Sequence, residues 1–350
     1  MLQSFRLGQK SIGPDHEPFI IAEMSGNHNG SKSRALDIVR AAAQCGVDCL
    51  KFQTYTAETM TLNSTRDDFV IHDEKSLWNE RQLYDLYQEA HTPWEWHAEL
   101  FRAAQELGVM SFSTPFDETA VDFLDDLGVP MFKIASFELT HLPLIRKVAR
   151  TGKPMIMSTG MASIEEIDEA VTTARDAGAE HIVILKCTSQ YPANASDANL
   201  LTIRDMQQRF GVQVGLSDHT LGIGVAVASV VHGATVIEKH FTLDRNDGGV
   251  DSAFSLEPWE MKLLKEETAR AWHASGEVCY SGTENEIKSR QFRQSIYPSR
   301  DIAEGEIFSS DNLKICRPGL SLAPRYWDAL IGKAAKRSIA FAERLTTEDL

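Results

Sequence analysis

Eight short apolar runs, at 19–22, 47–50, 109–112, 131–134, 154–157, 181–185, 212–216 and 234–237, each end in polar or charged residues and lead into a helical stretch. A parallel strand buried on both faces reads as a continuous apolar run, and its crossover helix supplies the amphipathic segment. Eight such units close into an α/β fold, a (β/α)8 TIM barrel, whose active site collects at the C-terminal strand ends. The residues at or near those ends are Glu23, Lys51 with Gln53, Ser113 with Thr114, Lys133 with Ser136, Ser158 with Thr159, Lys186 with Thr188, Ser217 with His219, and Lys239 with His240. The pattern predicts helices over 31–45, 80–91, 93–107, 117–127, 142–150, 163–177, 200–210, 223–231 and 257–273. Ser31 reads as the N-cap of the first with Gly46 closing it, and Thr92 before Pro93 as the N-cap of the third. A polar insertion at 54–79 reads as a βα loop enlarged over the barrel mouth, where such loops carry specificity.

The pattern changes after residue 274. Residues 276–293 are polar without a clear apolar period and read as a linker; 294–350 read as short strands and turns, at 295–298, 301–306, 307–308, 313–316 and 336–341. The expected division is therefore a barrel over 1–275, a linker, and a small β-rich C-terminal domain. A domain of about 60 residues has little core of its own, so docking onto a barrel, its own or a neighbour's, would add the missing burial.

Composition narrows the class. With 43% hydrophobic residues and no run long enough to span a bilayer, the chain reads as a globular protein rather than a membrane one. The first residues contain Arg6 and Lys10 but no apolar stretch, so no signal peptide is expected. Five cysteines, Cys45, Cys49, Cys187, Cys279 and Cys316, are odd in number and lack paired metal-ligand spacing, which suits buried thiols in a reducing cytoplasm. A net charge of −15 argues against nucleic acid or an anionic membrane as partner. Against that trend, Lys51, Lys133, Lys186 and Lys239 all fall at strand ends, which predicts a local positive cluster for a small anionic substrate.

His219 and His240 end strands seven and eight and should lie side by side at the mouth. Two imidazoles with open positions can hold a divalent metal, or simply hydrogen-bond in a polar pocket. Lys51 and Lys133 can hold a phosphate or carboxylate, form a Schiff base, or be ion-paired. Ser136, Ser158, Thr159 and Ser217 add hydroxyls on the same face, and the backbone at Thr159-Gly160 can approach an anion. Glu23 either moves a proton or holds a neighbouring Lys or Asn27. Asp251 lies in a glycine-rich loop after strand eight that can reach over the site.

Several segments resemble the sialic acid synthase family over nearly the whole chain. They are Ile21-Ala22-Glu23 with Gly26-Asn27-His28-Asn29-Gly30, Lys51-Phe52-Gln53, Ser113-Thr114-Pro115-Phe116, Lys133-Ile134-Ala135-Ser136 and Ser158-Thr159-Gly160-Met161. Cys187-Thr188 with Tyr191-Pro192, Gly215-Leu216-Ser217-Asp218-His219-Thr220 and Glu238-Lys239-His240-Phe241-Thr242 continue the series. The tail resembles the small antifreeze-like (SAF) domain of such synthases, with Arg317-Pro318-Gly319 matching its sugar-contacting loop.

The resemblance implies condensation of phosphoenolpyruvate with an amino sugar, giving a nonulosonic acid and phosphate. It implies that His219 and His240 are the metal ligands, with manganese expected and magnesium or cobalt as alternatives. It assigns Lys51, Thr114, Lys133, Ser136, Ser158 and Ser217 to phosphoenolpyruvate, and Gln53, Tyr191, Asp251 and Arg317 to the sugar. Arg317 would come from the partner in a domain-swapped homodimer. The metal would polarise the open-chain aldehyde, phosphoenolpyruvate would attack it, and water addition would expel phosphate with C–O cleavage. Lys51 and Lys133 would stabilise the charge, Glu23 would manage the proton, and Asp251 would stand among the catalytic groups. Ser189 stands where acetylneuraminate synthases carry Asn, and Ser321 replaces an expected Gly.

The loop after strand eight, Gly248-Gly249-Val250-Asp251-Ser252-Ala253-Phe254-Ser255-Leu256-Glu257-Pro258, resembles the pseudaminic acid synthase branch. Ala253 and Phe254 are expected to suit the methyl of a 6-deoxy sugar, here 2,4-diacetamido-2,4,6-trideoxy-L-altrose. N-acetylmannosamine or a legionaminic precursor are the nearest alternative substrates, and a Schiff-base aldolase is a different class.

Overall fold

Eight parallel strands close into a barrel in sequence order, with the eighth hydrogen-bonded to both the seventh and the first. They are β1 (Phe19–Glu23), β2 (Cys49–Thr54), β3 (Met110–Pro115), β4 (Phe132–Ile134), β5 (Met155–Ser158), β6 (Ile182–Cys187), β7 (Gln213–Asp218) and β8 (Val236–His240). The computed structural model describes residues 3–73 and 78–350. Residues 74–77 of the expected insertion, and the first two of the chain, lie outside the described residues.

The crossover helices are α1 (Lys32–Gln44), α2 (His97–Glu106), α3 (Glu118–Asp126), α4 (Leu142–Ala149), α5 (Ile164–Asp176), α6 (Thr202–Phe210) and α7 (Gly224–Val231), and α8 (Pro258–Ser275) follows β8. Local chemistry sets their starts. The Ser31 hydroxyl accepts from the Arg34 amide, and the Asp117 carboxylate caps α3 by accepting from Thr119 and Ala120. Ser163 and Glu166 form a reciprocal capping box on α5. The expected cap at Thr92 is a correction: its hydroxyl pairs instead with His28 Nε2 at 3.3 Å, and a short 3-10 turn, Trp94–Trp96, leads into α2.

Burial is continuous along the strands: Phe19, Ile20, Ile21, Leu50, Phe52, Phe112, Phe132 and Ile184 are all within 2% of full burial. At the N-terminal end an antiparallel hairpin, Phe5–Leu7 with Lys10–Ile12, lies against the barrel core through Leu7 and Ile12. Asp48 ties this end together, accepting from the Ile20 amide at 2.9 Å and pairing with Lys10 at 3.0 Å and Lys265 at 2.6 Å.

The chain divides into two compact units, Met1–Gly276 and Glu277–Leu350. In the second, β9 (Ser295–Pro298) pairs antiparallel with β10 (Leu313–Cys316). Its core is nine residues, among them Ile296, Phe308, Leu313, Leu330 and Ile339. The stretch expected to be a plain linker contains a short helix, Glu284–Ser289, opened by a Thr283–Glu286 capping box. Ser321 has a use within this unit: its hydroxyl donates to the Ile296 carbonyl at 2.5 Å and accepts from the Leu345 amide at 2.8 Å. A glycine there would leave both unmade. Among the described residues no helix is long and apolar enough to cross a membrane.

Candidate active site

Successive side chains on a strand point to opposite faces, and that parity decides which polar residues meet inside the barrel mouth. Glu23 and Lys51 are Cα partners on β1 and β2, with Lys51 Nζ 2.6 Å from Glu23 Oε2. Lys51 Nζ also donates to Thr114 Oγ1 at 3.3 Å and lies 3.6 Å from Glu238 Oε1. Lys133 Nζ approaches the same Glu238 oxygen at 3.5 Å, and Ser217 Oγ donates to it at 3.3 Å. All of these residues are buried. The result is two lysines interleaved with two carboxylates.

Burial pushes the Glu23 carboxyl up to about 7, against the pull of Lys51. Burial acts on Glu238 too, but Lys133 and Lys51 together hold it below the usual carboxylate range. Environments that drive two neighbouring carboxyls apart mark the one that can carry a proton near neutral pH. Here that group is Glu23. Burial lowers the Lys133 ammonium, whereas Glu23 and Glu238 raise Lys51 despite its burial.

The expected cluster of four lysines is corrected to two. Lys239 follows Glu238, so it faces the opposite side, where it pairs with Asp218 at 2.9 Å. Lys186 precedes Cys187, and its Nζ donates to the Cys187 carbonyl and Thr188 Oγ1. Glu238, by the same parity, belongs to the site and was missed from the sequence. It lies two residues before His240 and therefore on the same face.

Besides Thr114 and Ser217, which bond directly to this cluster, further hydroxyls follow β4, β5 and β6 at the same end of the barrel. A side chain at Gly160, which has a φ of +30°, would strike Ser189 Oγ at 2.5 Å and Ser136 Cβ at 2.6 Å, so the backbone there packs directly against both serines. Ser158 Oγ is buried with no hydrogen-bond partner among the described residues. Buried donors around cationic side chains are what an anion such as phosphate or carboxylate requires.

His219 and His240 are adjacent, their ring centroids 5.3 Å apart. His219 Nδ1 donates to the Thr188 carbonyl at 2.9 Å, which leaves Nε2 as its lone-pair nitrogen. Burial holds His240 well below its usual pKa, so it is neutral, and its Nδ1 is buried without a partner among the described residues. Burial lowers the His219 imidazole, but Cys187 and the Thr188 carbonyl more than restore it. Two imidazoles, one fixed in tautomer and one neutral, fit a divalent transition metal with open positions. Among the described residues no cluster of three or more His, Cys, Asp or Glu is arranged to hold a metal.

The loop after β8 closes over this pair. Arg34 pairs with Asp247 at 2.6 Å, Asn29 Nδ2 donates to the Gly248 carbonyl, and Trp78 Nε1 donates to the Val250 carbonyl. Asp251 accepts from the Gly26 amide at 3.3 Å, and burial raises its carboxyl. Phe254 is buried with its ring 4.9 Å from His240 and 5.3 Å from Tyr191, whose own ring is 4.5 Å from His219. Ala253 is exposed, so of the two apolar residues expected to face a methyl group only Phe254 is at the site. Gln53, half-buried, is two residues beyond Lys51 on β2. Arg317 is exposed just after β10, in the C-terminal unit.

Comparison with known proteins accords with this geometry. Residues 38–280 match the NeuB family and residues 293–350 the SAF domain. The chain is 42% identical over 339 residues to the pseudaminic acid synthase of Campylobacter jejuni serotype O:23/36, covering 97% of this chain and 98% of that one. It is 40% identical over 334 residues to the pseudaminic acid synthase of Helicobacter pylori, covering 95% and 98%. Among solved structures, the N-acetylneuraminic acid synthetase of Leptospira borgpetersenii in complex with citrate superposes with a TM-score of 0.74 at 31% identity, over 83% of this chain and 95% of that one. The chain is a member of the NeuB family, with a SAF domain at its C-terminal end.

Proposed function

We propose that this chain is a pseudaminic acid synthase, condensing phosphoenolpyruvate with 2,4-diacetamido-2,4,6-trideoxy-L-altrose to give pseudaminic acid and phosphate. One observation carries the chemistry: the buried Lys51–Lys133 cluster, with Thr114 and Ser217 bonded into it, adjoins through the Glu23–His240 strand pair an imidazole pair suited to a carbonyl oxygen. The pseudaminic acid synthases that match nearly end to end carry the choice of sugar. The wall formed by Phe254 supports that choice, because a 6-methyl group needs no hydrogen-bond partner there.

In this reading Lys51, Lys133, Thr114, Ser136, Ser158, Ser189 and Ser217 bind the phosphate and carboxylate of phosphoenolpyruvate, preorganised rather than mobile. His219 and His240 would hold a divalent cation, manganese first and magnesium or cobalt next, which when bound polarises the sugar aldehyde as a Lewis acid. The methylene carbon of phosphoenolpyruvate attacks the aldehyde carbon, and the aldehyde oxygen takes up a proton. Water adds to the former enol carbon, giving up one proton, and the carbon–oxygen bond to phosphate then breaks as the new hydroxyl passes its remaining proton to the departing phosphate, leaving the keto acid. Glu23 carries the proton, since it alone of the two carboxyls is held near neutrality. Gln53, Tyr191 and Asp251 contact the sugar.

The reading extends to a domain-swapped homodimer, in which Arg317 of the partner copy reaches the sugar. Exposed apolar side chains on four successive loops at the C-terminal end of the barrel, Phe137, Met161, Leu201 and Leu221, support docking of a second copy there. The free thiols support a reducing compartment, the cytoplasm.

Phosphoenolpyruvate carrying ¹⁸O at its bridging oxygen tests the chemistry. The label should appear in the released phosphate; retention in the organic product contradicts C–O cleavage. Borohydride trapping of Lys133 or Lys51 to a carbonyl substrate would instead establish a Schiff-base aldolase.

A further inference from the structure

The opposite face of β7 and β8 carries an ion pair that the chemistry above does not use. Asp218 and Lys239 are Cα partners across the two strands. Lys239 Nζ lies 2.9 Å from Asp218 Oδ2 and donates to the Thr220 carbonyl at 2.7 Å, while Asp218 Oδ1 accepts from the Thr220 amide at 2.9 Å. Their side chains are 2% and 0% exposed. His219 is thus bracketed in sequence by two residues that Lys239 binds, and Lys239 is itself bonded through the chain to His240.

Stability gives no reason for this arrangement. Taking two charges out of water costs several kcal/mol per ion, and apolar residues of similar volume often do as well or better. What directional bonds supply and apolar packing does not is a fixed geometry. Here they close a ring, Lys239–Asp218–His219–Thr220, at the last rung of the ladder before the two imidazoles leave their strands.

We infer that Asp218 and Lys239 are positioning residues: from outside the barrel they hold the His219 and His240 rings at the spacing and angle a divalent cation requires. This rests on reading the histidine pair as a metal site. Groups that orient metal ligands commonly contribute 10- to 100-fold in metal affinity, and this pair acts through the backbone of both ligands at once.

The test is Mn²⁺ affinity of the metal-free full-length chain, followed by the electron paramagnetic resonance signal of free Mn²⁺, with thermal unfolding measured alongside. Lys239→Met, of similar length but without a donor, should weaken Mn²⁺ binding by about 10- to 100-fold. Asp218→Asn keeps its shape and an acceptor for the Thr220 amide, and should weaken binding by about 10-fold if Lys239→Met does not fold. Asp48→Asn is the control for a structural effect, since Asp48 forms buried ion pairs at the other end of the barrel; it should lower the unfolding temperature and leave Mn²⁺ affinity alone. Unchanged affinity in the folded Asp218 and Lys239 variants, or an equal loss in Asp48→Asn, overturns the inference. Titration of wild type against His219→Asn and His240→Asn separates the two failures: equal Mn²⁺ binding in all three, or none in wild type, removes the metal reading and the positioning role with it.

Discussion

Glu23 and Lys51 face each other across the first two strands with Oε2 and Nζ 2.6 Å apart, both out of water, yet only the lysine is firmly charged. The carboxyl is held near neutrality by burial and the amine kept protonated by two carboxylates. Glu23→Gln preserves shape and hydrogen bonding but cannot release a proton. It should lower kcat by about 10²- to 10⁴-fold with KM for phosphoenolpyruvate little changed. Steady-state phosphate release reads this, and near-normal turnover would remove Glu23 from the proton path.

Ser158 presents a buried hydroxyl without a protein partner, which costs free energy until something accepts its proton. Ser158→Ala should therefore leave unfolding temperature unchanged or raise it. The same variant should raise KM for phosphoenolpyruvate by about 10-fold or more, the loss expected for a hydrogen bond to a charged group. A drop in stability with KM intact would make Ser158 a structural residue.

His97 is buried under β2 and β3, bonded to Thr54 Oγ1 at 2.8 Å, and burial lowers its pKa to about 4. Unfolded, it titrates near 6.5, so its contribution is full above pH 6.5 and is lost as the pH falls toward 4. Glu23 and Glu138, both raised to about 7 by burial, titrate with the opposite sign in much of that window, and His28 with the same sign. The total slope is therefore a poor readout, and a difference between variants is a good one. The stability gap between wild type and His97→Gln, from urea unfolding, should narrow by on the order of 3 kcal/mol between pH 7 and pH 4. A constant gap would show that His97 is not held neutral.

The barrel was legible because each apolar run is buried on both faces and is followed by a helix, several of them opened by a side-chain cap, as at Ser31, Asp117 and Ser163. Placement in the barrel mouth was legible where a polar residue stood between apolar neighbours at a strand end, as Glu23 does between Ala22 and Met24. It failed where charges were adjacent. At Glu238-Lys239-His240 the lysine was chosen for its sign, although only residues two apart share a face, and the buried strand offers no alternation to show which face is which. The role of Thr92 was hidden because His28, its partner, is 64 residues away.

If the SAF domain is exchanged between copies, as proposed, two different inactive variants should complement each other. Glu23→Gln damages the barrel's own site, whereas Arg317→Ala would damage the site of the other copy. Mixing the two inactive variants under conditions that exchange subunits should restore activity that neither shows alone. No recovery, with exchange verified by mass, would place Arg317 at its own barrel, and full activity of Arg317→Ala alone would place it outside the reaction.

On this reading one pocket joins phosphoenolpyruvate to a trideoxy diacetamido sugar. Phosphate release from phosphoenolpyruvate with Mn²⁺ present, comparing 2,4-diacetamido-2,4,6-trideoxy-L-altrose with N-acetylmannosamine and a legionaminic precursor, tests it most directly. Turnover is expected with the altrose and little with the others. Turnover with N-acetylmannosamine or the legionaminic precursor alone would contradict the assignment of the sugar, and no phosphate release with any of the three would contradict the synthase chemistry itself.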